Sequence, residues 1–265
     1  MTSTLLQSFD LTSALADATI NTPFIRHLSS ATLPAENFDK WLYNDYIYVR
    51  AGIHFTAHLI DSIPRTVPEG INDVDYDANA MLTELKTRLA GGYNTLRDEL
   101  GEFRKRAEAR SIELPALRPV GPILKSVDEN PETEIDSEIL MEELKTIENV
   151  DERCVKHMQF MVNLKKEHWT TQLASLWLSE KVYCDAMWAV KDSAEFGKLE
   201  EGIAGFVGWW ANDGFREYVG LLERDTGRTQ EGEAWGKDRE RTRQVLLQLL
   251  EGEKGFWGIA EDGLE

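Results

Sequence analysis

Apolar residues recur along this chain at spacings of three and four, and strict alternation is nearly absent, so the pattern predicts helices rather than strands. The stretch ATLPAENFDKWLYNDYIYVRAGIHFTAHLIDSI opens with Thr32 and Pro34 as start signals. It then carries Phe38, Trp41, Leu42, Asp45, Tyr48 and Val49 on one stripe, which predicts one long helix or two joined at a kink. DANAMLTELKTRLAGGYNTLRDELGEFRKRAEARSI predicts a second long helical region, with a break at Gly91–Gly92. Residues 113–136 hold four prolines without periodicity and read as a loop. Further helical segments are expected at about 154–192, 198–225 and 236–262. The expected fold class is an all-α bundle, organised as a single domain over 1–265 with an acidic, proline-containing insertion at about 113–153.

Composition sharpens this picture. With 265 residues, 42% of them hydrophobic, and 8 Trp, 7 Tyr and 10 Phe, the chain can fill a core, which excludes global disorder. A net charge of −18 argues against nucleic acid and anionic membranes as partners, because phosphate contacts need a cationic surface. From Val127 to Arg153 eleven acids face two bases, the signature of a solvated surface segment followed by a short acidic helix. Cys154 and Cys184 stand alone with no CxxC, so neither a disulfide framework nor a zinc knuckle is expected. No long apolar run and no basic leader is present, and the expected location is the cytoplasm.

The search for chemistry proceeds by elimination. None of His27, His54, His58, His157 and His168 stands three residues from a glutamate, so the Glu-x-x-His pairs of carboxylate-bridged di-metal bundles are missing. His54 and His58 lie one turn apart and could share a ligand, but no HExxH surrounds them. There is no GxSxG elbow and no phosphate-binding glycine loop. No metal and no cofactor are expected. What remains is carboxylates set among aromatics. Trp41, Asp45 and Tyr48 share a face. Ser179 and Glu180 both lie one turn before Tyr183, and Glu253 one turn before Trp257. The bland alternatives are a small residue at a helix crossing for Ser179 and a surface ion pair for Glu180. Trp209 and Trp210 read as core.

The segments TPFIRHLSSATLPAENFDKWLYNDYIYV, ASLWLSEKVY, FVGWWANDGFREYV and EKGFWGIA, in this order, resemble the TenA (thiaminase II, aminopyrimidine aminohydrolase) family. The resemblance runs from about residue 20 to about 260 and breaks at the acidic insertion. It implies a haem-oxygenase-like helical bundle without haem, assembled as a homo-oligomer (dimer or tetramer), that hydrolyses an exocyclic C–N bond of an aminopyrimidine in thiamin salvage. It also implies that Asp45 holds the pyrimidine edge, that Tyr48, Tyr183, Phe206 and Trp41 line the substrate, and that Glu253 is the acid/base. The family's catalytic cysteine falls on Ser179, and a second expected tyrosine falls near Cys154 or Val155. Cys184 is turned off the Ser179 face. The chain therefore looks more like the family's cysteine-lacking branch, with Glu253, Glu180 and Ser179 as catalytic candidates. Two other classes stay open: an inactive relative that binds a pyrimidine or a protein partner, and a haem or redox bundle of the same architecture.

Overall fold

The structure, a computed structural model, describes residues 3–67, 77–118, 124, 137–230 and 238–264. Three short helices open it, α1 (Thr4–Ser8), α2 (Thr12–Asp17) and α3 (Pro23–Ser29); then come the long α4 (Ala35–Ser62) and α5 (Ala78–Ala109). They are followed by α6 (Ser137–Leu144), α7 (Glu152–Asn163), α8 (Trp169–Lys191), α9 (Glu201–Trp210), α10 (Asp213–Gln230) and α11 (Arg239–Trp257). No strand occurs among the described residues.

Helix α4 is a single helix without interruption, preceded by Pro34 as its N-cap in extended backbone, a residue with no N–H that would need a partner there. Helix α5 runs through Gly91 and Gly92, which corrects the expected break there. The reason lies in packing: a Cβ at Gly92 would collide with the Tyr218 hydroxyl, so the glycine admits α10 against α5 rather than ending the helix. Two predicted helices are each split. The expected 154–192 segment is α7 and α8, separated by a 3-10 turn at Leu164–Lys166, and His168 caps α8 by accepting from the Thr170 N–H. The expected 198–225 segment breaks at Ala211–Asn212, where Asn212 Oδ1 accepts from the Phe215 N–H at 2.9 Å and starts α10.

Helix α8 is the axis. It packs against α3, α4, α9, α10 and α11, and α4 packs against α5 and α7. Its buried residues run almost unbroken from Trp169 to Ser179, so the helix is enclosed on all sides and any polar group on it needs a partner. Helices α7 and α11 are joined by Arg153, which donates to the Gly258 carbonyl at 2.7 Å and to Asp151 and Asp262 at 2.7 and 2.9 Å.

The described part of the acidic insertion is docked, not merely solvated. On α6, Leu140 and Leu144 are buried, and Glu143 pairs with Arg50, itself only 3% exposed. Glu143 also accepts from the Arg118 N–H at 2.8 Å, and Asn94 exchanges two hydrogen bonds with the Leu124 backbone. Residues 119–123 and 125–136 of the expected loop lie outside the described residues.

Candidate functional site

Three helices bring six of the candidates together. From α4, Asp45 and Tyr48 point inward one turn apart; from α8 come Ser179, Glu180 and Tyr183, and from α11 comes Glu253. Asp45 is 2% exposed and Glu253 wholly buried. Ser179 Oγ donates to Glu253 Oε1 at 2.8 Å, and the Tyr48 hydroxyl donates to the same oxygen at 3.4 Å. Tyr183 donates to Asp45 Oδ1 at 3.0 Å, while Asp45 Oδ2 has no hydrogen-bond partner among the described residues.

Helix α7 supplies a residue that the sequence reading set aside. His157 Nε2 lies 3.2 Å from Glu253 Oε1, and its ring stacks on Tyr48 with centroids 4.9 Å apart. The imidazole has room because residue 252 is glycine; a Cβ there would collide with His157 Nδ1. Its signal in the sequence was its place in the stripe Cys154, His157, Met158 and Met161, where a histidine interrupts an apolar face. The expected tyrosine near Cys154 or Val155 is absent, and a histidine ring enters from the next turn instead. Cys154 is buried and donates weakly to the Asn44 carbonyl.

Trp41 and Phe206, expected against the substrate, stand behind the site. Both are fully buried, Trp41 packing on Phe24, Phe206 and Trp257 at 5.1, 5.4 and 5.4 Å, and neither lines a described cavity. Their size and apolarity made them core. Trp210, read as core, is buried in the core and Trp209 packs half-buried against it, and at the end of α9 both also line a cavity next to Glu180.

Two cavities meet at this point. The inner one, about 40 Å³, is lined by Asp45, Tyr48, Ser179, Glu180 and Tyr183. The outer one, about 360 Å³, lies between α5, α9 and α10, and the two share Leu96, Glu180 and Trp210. The electrostatics are those of carboxyl groups withdrawn from water. Burial, with the nearby Glu253 charge, pushes Glu180 up to about 8. Burial raises Asp45 well above the carboxylate range; the Tyr183 hydrogen bond opposes this and Glu253 adds to it. Burial pushes Cys184 up to about 11, so its thiol is not poised for attack. His58 Nε2 meets the Lys165 carbonyl at 3.3 Å, and no cluster of three or more His, Cys, Asp or Glu with metal-holding geometry occurs among the described residues. No described helix is long and apolar enough to cross a membrane.

The architecture defines the class: an all-α, haem-oxygenase-like bundle of the TenA type. A TenA homologue from Pyrococcus furiosus superposes with a TM-score of 0.67 at 21% identity, covering 97% of each chain. A TenA family transcription regulator from Silicibacter sp. TM1040 gives 0.63 at 15% identity, over 97% of this chain and 94% of that one. A chain from Sulfolobus solfataricus, provisionally described as a TenA-like thiaminase, gives 0.61 at 12% identity over 99% and 97%. In sequence, an uncharacterised protein of Schizosaccharomyces pombe is 27% identical over 226 residues, 83% of this chain and 84% of its own. No protein-family model matches the chain.

Proposed function

We propose that this protein is a TenA-type hydrolase of the cysteine-lacking kind, cleaving an exocyclic C–N bond of an aminopyrimidine such as an aminomethyl- or formylaminomethyl-pyrimidine, or thiamin. The observation that carries this reading is the pair of buried groups facing one pocket: Asp45 with one oxygen free, and Ser179 hydrogen-bonded at 2.8 Å to Glu253. A carboxyl oxygen left open beside Tyr48 and Tyr183 suits the donor-rich edge of an aminopyrimidine. The inner pocket has room for an amino group or a few water molecules, and the pyrimidine ring extends past Glu180 toward the larger cavity.

The roles follow from which carboxyl holds a proton. Glu253 Oε1 accepts from Ser179 and Tyr48, so Glu253 is the base that takes the proton of the attacking hydroxyl, either water or Ser179 itself; in the latter case the Ser179 ether formed as the C–N bond breaks is hydrolysed by water in a second step, which restores the serine. Glu180, pushed up to about 8, keeps its proton at neutral pH and delivers it to the leaving nitrogen. Of the acid and base roles that the resemblance gives to Glu253, this leaves it the base and passes the acid to Glu180. His157 Nε2 approaches Glu253 Oε1 at 3.2 Å from α7 and packs the carboxyl in place. Cytoplasmic residence and assembly as a homo-oligomer belong to the same reading, and light scattering on purified protein checks the latter.

The test is turnover. Purified protein incubated with aminomethyl- and formylaminomethyl-pyrimidines and with thiamin releases the hydroxymethyl-pyrimidine, followed by chromatography with mass detection; Glu253→Gln and Asp45→Asn both abolish it. A folded protein that binds these compounds without turning any of them over would sink the hydrolase reading and leave a pyrimidine-binding protein.

A further inference from the structure

Four arginines converge on a cavity that shares none of its lining residues with the candidate site or the chamber beside it. It measures about 300 Å³ and lies between α4, α5 and the segment that follows α5. Arg50 comes from α4, Arg97 and Arg104 from α5, and Arg118 from the segment beyond. Tyr46 stands one turn before Arg50, and Leu100 lies between the two α5 arginines, so helical spacing puts each set on one face. Asp45 and Tyr48 leave α4 on another face, as Leu96 and Glu99 do on α5.

These guanidinium groups are poorly compensated. Of the four, Arg50 alone has an acid partner among the described residues, Glu143, and no carboxylate lines the cavity there. Arg50 is 3% exposed and donates to the Arg118 carbonyl at 3.1 Å, yet its Nε has no partner among the described residues. Arg97 is left with less: its Nε and Nη1 are buried without an acceptor, and its charge rests against the Tyr93 ring at 5.8 Å. Arg104 spends Nε and Nη2 on the Tyr46 hydroxyl at 3.3 and 3.1 Å, a neutral acceptor that leaves its charge unmatched.

In a chain of net charge −18 such a gathering of one sign runs against the whole. Like charges held together repel, and buried N–H groups without acceptors carry a desolvation cost that an anion would remove. A single carboxylate engages one guanidinium. Several guanidiniums around one space match a group with more than one negative charge and acceptor oxygens on every side, which is phosphate. The cavity also exceeds a lone phosphate, and Leu100 and Leu117 give the surplus an apolar wall. We propose that this cavity is a second binding site, taking the phosphate group of a small phosphorylated molecule, with Arg97, Arg104 and Arg118 as its charged contacts and Arg50 Nε as a further donor.

The probes are orthophosphate, pyrophosphate and ribose 5-phosphate, each compared with sodium chloride at equal ionic strength. The negative surplus of the chain disfavours non-specific uptake of anions, so a saturable calorimetric isotherm reports a local site. At least one of the three is expected to give such an isotherm and to raise the melting temperature, with chloride giving neither. Tightest binding of ribose 5-phosphate identifies an organic ester as the occupant and tightest binding of pyrophosphate an inorganic one, and both uphold the site. Arg97→Gln and Arg118→Gln each weaken binding by about tenfold or more; Arg118 is exposed, so its variant folds even if the other does not. Lys156→Gln removes the same charge from an exposed position outside the cavity and leaves affinity as it was. Asp45→Asn, which disables the pyrimidine site, leaves it as it was too. No isotherm with any of the three anions, unchanged affinity in Arg118→Gln, equal weakening in Lys156→Gln, or loss of binding in Asp45→Asn would overturn the proposal. None of those results touches the hydrolase reading, which turnover of the pyrimidines tests separately.

Discussion

Ser179 and Glu253 test each other at the scale of single residues. If Glu253 is the base for the Ser179 hydroxyl, Ser179→Ala lowers kcat by about a hundredfold or more with KM little changed, and Ser179→Cys restores part of it. A water nucleophile instead predicts a loss of less than about tenfold in Ser179→Ala, as expected for one removed hydrogen bond. If Glu180 is the proton donor, it sets the alkaline limb: it must be protonated, so kcat/KM falls as pH rises through about 8, and Glu180→Gln removes both the limb and most of the rate. Of the residues named in advance, Asp45, Tyr48, Ser179, Glu180 and Tyr183 line one pocket and Glu253 stands behind it, hydrogen-bonded to Ser179 and Tyr48, because helical spacing tells which residues of one helix share a face. Spacing cannot tell which helix faces which. That is why His157, arriving from α7, was missed, and why Trp41 and Phe206 were assigned to a pocket they stand behind.

At the scale of elements, the glycine pair in α5 makes a matched experiment. A Cβ at Gly91 meets nothing, so Gly91→Ala raises stability by up to about 1 kcal/mol through lower backbone entropy in the unfolded chain. Gly92→Ala must push the Tyr218 ring away and lowers stability instead, by about 1–3 kcal/mol. Thermal unfolding of the two variants side by side checks the contrast, and equal shifts would remove the packing account of the unbroken α5. The long helices were legible in the sequence because their apolar stripes persist over many turns. The breaks at 164–168 and 211–212 were not, because each depends on one polar side chain, His168 or Asn212, folding back onto the backbone, and such residues look ordinary within a helical pattern.

Across the whole molecule, the buried acids shape stability against pH. Glu180 has a folded-state pKa raised to about 8 by burial, so its contribution is complete below the ordinary glutamate range and is lost as pH rises toward 8. Asp45 and Glu99, raised by burial too, act in the same direction. At the acid end the sign reverses: Asp151 and Asp262 are held below the usual carboxylate range chiefly by Arg153, and their contribution is lost as pH falls through theirs. Melting temperature is therefore expected to decline between about pH 5 and pH 8.5, with a shallower decline in Glu180→Gln. A flat profile in the unaltered protein would mean that these acids are hydrated in solution. The acidic surplus of the chain foretold none of this, since net charge says nothing about which carboxyl groups are inside.

Arg153 carries a consequence for motion. By holding the carbonyl of Gly258 and the carboxylates on either side, it bolts the helix that bears His157 to the helix that bears Glu253. The amide protons around residues 157–161 and 253–257 should then exchange with deuterated solvent at the same free energy of opening, as one cooperative unit. In Arg153→Met the two stretches would separate into independently exchanging segments, and Glu253, the proposed general base, would lose its fixed address before the protein lost its fold.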